Sequence, residues 1–105
     1  MYAIEHTDFY DRMKADIERK RAERMKMTWT SLKEWAEYIQ DHKEWNQDDL
    51  ARVLDDERGY ALRIAGLCYC SEAMEVLERT GEKRNVLDIE FKNKGNYYLY
   101  IVIKK

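Results

Sequence analysis

The 105-residue chain has no proline, four glycines, two cysteines and two histidines, and its longest apolar run is Tyr97 to Ile103. Each scarcity excludes something. A helix that crosses a bilayer needs about 20 apolar residues, so no membrane partner is expected. No charged-then-apolar N-terminus reads as a signal peptide, and a cytoplasmic protein is expected. Cys68 and Cys70 stand at i and i+2 of a helical pattern. Their side chains diverge there, which favours neither a disulfide nor a shared metal, and marks both as ordinary thiols of a reducing compartment. His6 and His42 have no partner at metal-ligand spacing, so neither metal nor cofactor is expected. With no Gly-rich phosphate loop, nucleophile elbow or ligand cluster, and with Asp48/Asp49 and Asp55/Asp56 placed where helix caps account for them, the chain does not read as an enzyme.

What is present points to one folded unit. The chain is 45% hydrophobic and 38% charged, with Trp29, Trp35, Trp45 and eight tyrosines. That is enough large apolar surface to offset ordering entropy, in a length suited to a single domain over 1–105. The net charge of −2 hides an uneven distribution. Residues 1–27 hold seven Lys/Arg and six Asp/Glu, residues 28–58 four and nine, and residues 59–105 eight and six. An acidic middle therefore lies between a basic run, Arg19 to Lys26, and a basic end at Lys92, Lys94, Lys104 and Lys105.

Residues 7–27 read as a helix with Phe9, Met13, Ile17 and the Ala15/Ala22 positions on a thin apolar stripe. Ser31 opens a second helix through a capping box. Its side chain accepts from the N–H of Glu34, Glu34 reaches back to the N–H of Ser31, and Leu32, Trp35, Ala36 and Ile39 make the apolar face as far as His42. A third helix opens at Asn46, with Asp48 and Asp49 in its first turn and Leu50, Ala51, Val53 and Leu54 on its buried side. Past the polar stretch Asp55 to Gly59, residues 60–80 are apolar enough for either one long helix or two, ending at Gly81 in a left-handed conformation. The helical core thus spans 31–80. From Val86 the period becomes two, and 86–104 reads as a β-hairpin turning at Asn93 to Asn96, its Leu87/Ile89/Phe91 face expected on the helices. In strand spacing Tyr98 and Tyr100 share a face, where they pack across strands or stack on bases of a single strand.

The stretch Trp45 to Leu54, then Arg58 to Ile64, resembles the helix-turn-helix of phage repressor-type DNA-binding proteins, with Leu32, Ala36 and Ile39 on a supporting helix. A small residue, here Ala51, suits the crossing of two helices. The resemblance implies an α+β fold, small and mostly helical, with a helix-turn-helix core and a C-terminal β-hairpin in winged-helix style. It further implies a recognition helix from about Arg58 to Leu67, with Arg58, Tyr60 and Arg63 reading bases, Gln47 on a phosphate, and Lys92 and Lys94 in a wing-like hairpin on double-stranded DNA. The expected role is a DNA-binding regulator of prophage or mobile-element type, acting as a homodimer because one short helix reads too little sequence. Departing from the family pattern, Asp55, Asp56 and Glu57 stand where the turn has glycine and an apolar residue. With Asp48 and Asp49 they support an alternative, a phage-type inhibitor in the manner of anti-restriction or anti-CRISPR proteins, whose acidic surface occupies the basic groove of a host nucleic-acid-handling protein.

Overall fold

The computed structural model describes residues 2–42, 51–94 and 96–105. Helices α1 (Tyr2–Lys26) and α2 (Leu32–Asp41) come first, then strands β1 (Ala51–Asp56) and β2 (Gly59–Ala65), helix α3 (Leu67–Thr80) with a short 3-10 turn (Glu82–Asn85), and strands β3 (Val86–Lys94) and β4 (Asn96–Lys104). The four strands form one antiparallel sheet in the order β1-β2-β4-β3. The α+β class and the C-terminal hairpin stand as expected. The helix-turn-helix core does not: a second β-hairpin, 51–65, replaces the described part of the third helix and the whole recognition helix.

The reason lies in the turn. Asp56 and Gly59 close a two-residue loop at Glu57 and Arg58. Asp56 accepts from the Arg58 backbone N–H at 2.9 Å, the side-chain-to-backbone bond that makes Asp a turn former. No non-glycine residue among those described has positive φ, so Glu57 and Arg58 turn without the Asn-Gly chemistry of the commonest two-residue hairpins. Gly59 is required for closeness: a Cβ there would stand 1.8 Å from the Ile103 carbonyl oxygen on β4. Beyond it Tyr60, Leu62 and Ile64 alternate inward with period two.

One face of the sheet carries the core. Leu62, Ile64, Leu99, Ile101 and Ile103 pack under Trp29, Leu32, Trp35, Ala36 and Ile39 from α2 and its approach, and under Ala73, Val76 and Leu77 from α3. Ala51 is small because α2 lies directly on β1, not because two helices cross there. The Ser31 cap forms, with Glu34 N–H donating to Ser31 Oγ at 3.1 Å. Glu34 returns the bond one residue earlier than expected, to the Thr30 N–H and hydroxyl. Leu32 N–H, left over at this helix start, donates to Glu82 Oε1 at 2.6 Å from fifty residues away.

Helix α1 explains its thin stripe by being fastened through charge. Glu72 on α3 is fully buried and accepts from Arg24 Nε at 2.9 Å, Arg24 Nη2 at 3.0 Å and Trp35 Nε1 at 2.8 Å. Arg21 reaches Glu75 at 2.8 Å, and Arg79 donates to the Met25 carbonyl. Gly81 ends α3 at φ +75, as its position implied. The expectation for Leu87, Ile89 and Phe91 is corrected: they are 48%, 45% and 53% exposed, because α2 and α3 pack over β1, β2 and β4 and leave the β3 edge beyond them.

Candidate functional site

Antiparallel partners share a face, so the register assigns every strand residue to one side of the sheet. Opposite the core, one row across the sheet reads Arg52, Arg63, Tyr100, Glu90. The next reads Ala65, Tyr98, Lys92 toward one end, and Leu54, Ala61, Val102, Asp88 toward the other. Arg52, Leu54, Asp88, Glu90, Lys92 and Lys104 are exposed and Arg63, Tyr98 and Tyr100 half-buried, so the outer part of this face is open, while Ala61 and Val102 at its centre are fully buried.

Two arginines, Arg52 and Arg63, stand directly opposite one another on neighbouring strands of this face. Like charges so placed oppose pairing of the strands and make this part of the face electropositive. The Arg63 guanidinium lies 4.9 Å from the Tyr98 ring centroid, a cation–π contact that holds the cation flat against the sheet. Lys92 pairs in register with Tyr98 and sits 3.4 Å from Glu90. At the far end Arg58 folds back from the turn. Its side chain bonds Asp56 at 3.2 Å, which with the Arg58 N–H holds the Asp56 carboxyl below the usual carboxylate range. Asp56 in turn raises the arginine, with Asp88 and Tyr100 adding to it electrostatically.

The three expected base readers are therefore separated. Arg63 is on the open face and Arg58 is committed to Asp56 at the hairpin tip. Tyr60 faces the helices, its hydroxyl donating to Glu82 Oε2 at 2.6 Å; burial, and then that bond, push its pKa upward, so it remains a donor. Of the acidic set, Asp55 and Glu57 are exposed at the β1–β2 tip while Asp56 is spent on Arg58. Gln47, Asp48 and Asp49, and the side chain of Lys94, lie outside the described residues. Tyr97 turns to the helix side against Phe91, at 5.8 Å between ring centroids.

Arg52 is the residue that sequence reasoning missed. Its place beside Arg63 follows only once 55–59 is read as a hairpin turn. The signal for the aromatic pair was available, since Tyr98 and Tyr100 alternate with Leu99 and Ile101 at strand spacing. Among the described residues no three His, Cys, Asp or Glu side chains converge as a metal site would require, and no helix is long and apolar enough to cross a membrane. The chain matches no protein-family model, no curated protein and no solved structure.

Proposed function

We propose that the chain is a small nucleic-acid-binding regulatory protein whose contact surface is the open face of the sheet rather than a recognition helix, and that it takes a single strand. The observation that carries this is the opposed Arg52/Arg63 pair with Arg63 laid on Tyr98, beside Tyr100 and Lys92. Aromatic rings on a sheet offer a stacking platform to unpaired bases, and guanidinium groups between them meet the phosphates. A flat four-stranded face does not enter the major groove as a helix or a two-stranded ribbon does, which argues for a strand with its bases free. The net charge of −2 does not oppose this reading, because the two described carboxylates of the acidic middle that lie on the sheet, Asp55 and Asp56, stand at the turn end of β1, away from Arg63 and Tyr98. Of an inhibitor's acidic surface, the described residues leave Asp55 and Glu57 exposed at the hairpin tip, while Asp56 is paired with Arg58.

The test is fluorescence anisotropy at low salt with three labelled probes: single-stranded DNA, single-stranded RNA and duplex DNA. Saturable binding that favours a single-stranded probe is expected. Arg52→Ala/Arg63→Ala should weaken it and flatten its salt dependence by about 0.7 in log–log slope for each phosphate that the variant no longer neutralises. No binding to any probe, or equal binding by the wild type and the double variant, overturns the proposal.

A further inference from the structure

The two edges of the sheet are unlike. β1 is six residues long and has α2 packed against it, whereas β3 runs for nine, bulged only between Val86 and Asp88, with Ile89 and Phe91 exposed on its helix-side face and Tyr97 beside them. A long edge with exposed apolar side chains is a template for another strand. The order of charges on β3 says which strand.

Ile89, Glu90, Phe91 and Lys92 alternate apolar with charged, and the charges differ in sign two residues apart. In an antiparallel pairing of β3 with a second β3, a two-fold axis at Phe91 sets Glu90 opposite the partner's Lys92 and Lys92 opposite the partner's Glu90. Phe91 then meets its own copy on the apolar side, with Ile89 opposite the partner's Asn93. Neighbouring registers fail. An axis at Glu90 or at Lys92 puts like charges face to face, and an axis at Ile89 puts Asp88 opposite the partner's Glu90. The strand is self-complementary in one register.

We infer that the β3 edge is the docking surface for a second copy of this chain, joined antiparallel about Phe91 into one continuous eight-stranded sheet. This geometry covers Ile89 and Phe91 and removes the longer open edge of each protomer. It leaves the helix layers of both copies on one side of the sheet and both open faces on the other, because antiparallel partners in register keep their facing. The inference does not depend on nucleic-acid binding, since it rests on β3 alone.

Sedimentation velocity of the full chain without nucleic acid tests it. The wild type should show a concentration-dependent species of twice the 12.8 kDa chain mass. Glu90→Lys and Lys92→Glu each turn two attractive cross-strand pairs into repulsive ones and should weaken the dimer about tenfold or more. Combining them restores opposite signs in the same register, so Glu90→Lys/Lys92→Glu should dimerise as the wild type does. Both positions are exposed, and circular dichroism checks that each variant folds. A monomeric wild type at every concentration overturns the proposal, as does a double variant no better than the singles. Capture of an extended strand from another protein by a monomeric chain would be the first of these results.

Discussion

The two faces of the sheet are built from alternate residues of the same strands and solve different problems. On the helix side, Leu62, Ile64, Ile101 and Ile103 are sealed under two helices. On the other side Ala61 and Val102 are just as fully buried, yet they stand outside the core cluster. They are in the centre of the open face, among Leu54, Arg63, Tyr100 and Lys104 of neighbouring rows, with Arg58 folded back from the turn. Long amphipathic side chains suit such a place, since their stems cover apolar surface while their charge stays at the water. Side chains are a more movable cover than packed helices. A movable cover can open for a ligand, which a helix layer cannot do without unfolding.

The largest expected effect comes from breaking the closed side at its charged clasp. Glu72→Ala leaves Arg24, 7% exposed, and the Trp35 N–H without the acceptor that ties α1, α2 and α3 together. Removing one partner of a buried pair costs about 3–5 kcal/mol, and urea denaturation should show a loss of that size. Glu75→Ala, on the exposed face of the same helix, should cost no more than about 1 kcal/mol, although it too faces an arginine.

The faces can then be compared through neighbours. Ile101 and Val102 are both fully buried but point to opposite sides. Ile101→Ala opens a cavity under helices that relax little, and a cost of about 3 kcal/mol is expected. Val102→Ala opens one beneath side chains that can settle into it, and about 1 kcal/mol is expected in the same denaturation assay. Equal losses would mean that the cover on the open face is as rigid as the helix layer.

The same contrast explains what could be read from the sequence. Helix α2 was legible because its information is local: the Ser31 cap and the Leu32/Trp35/Ala36/Ile39 spacing stand within ten residues. Gly81 and the 86–104 hairpin were legible for the same reason, a left-handed glycine and an unbroken alternation. The 51–65 hairpin was not. Ala61 and Ala65 on the open face are apolar, which leaves Arg63 as the one polar alternate of the strand to mark period two. The turn Asp56 to Gly59 uses an aspartate-to-backbone bond in place of Asn-Gly, which let three successive carboxylates pass for a linker between helices. The candidate site was legible only in pieces. Arg63, Tyr98 and Tyr100 come from different hairpins, and pairing β2 with β4 is what makes them neighbours. The Arg24–Glu72 pair, 48 residues apart, left no local trace.

On the open face, binding and stability should separate. Tyr98→Ala removes a half-buried ring that supports Arg63, and a stability loss of about 1 kcal/mol is expected. If Tyr98 is a stacking platform, single-strand affinity should fall by about 1–3 kcal/mol in anisotropy titrations, and Tyr98→Phe should retain most of it. A variant that loses stability and affinity in equal measure would make Tyr98 a packing residue only.

The smallest expected effect is at the hairpin tip that joins the faces. Asp56 has its carboxyl pKa lowered first by the Arg58 side chain and then by the Arg58 N–H. A group whose folded pKa lies below its unfolded value stabilises the fold fully above the unfolded value, about 4 for an aspartate, and loses that contribution as pH falls through the folded one. Arg58 stays charged throughout, so the titration belongs to Asp56. Urea midpoints measured from pH 6 downward should therefore decline below about pH 4 in the wild type. Asp56→Asn keeps an acceptor for the Arg58 N–H but has no charge to lose, and its decline should be shallower by the part that belongs to this one carboxylate. Because Asp56 and Arg58 are at the water's edge, 0.5 M salt should shrink the difference between the two curves, as screening of an exposed pair demands. A difference that ignored salt would place the origin of the Asp56 effect in the backbone bond of the turn, and the hairpin tip would then be held by its geometry alone.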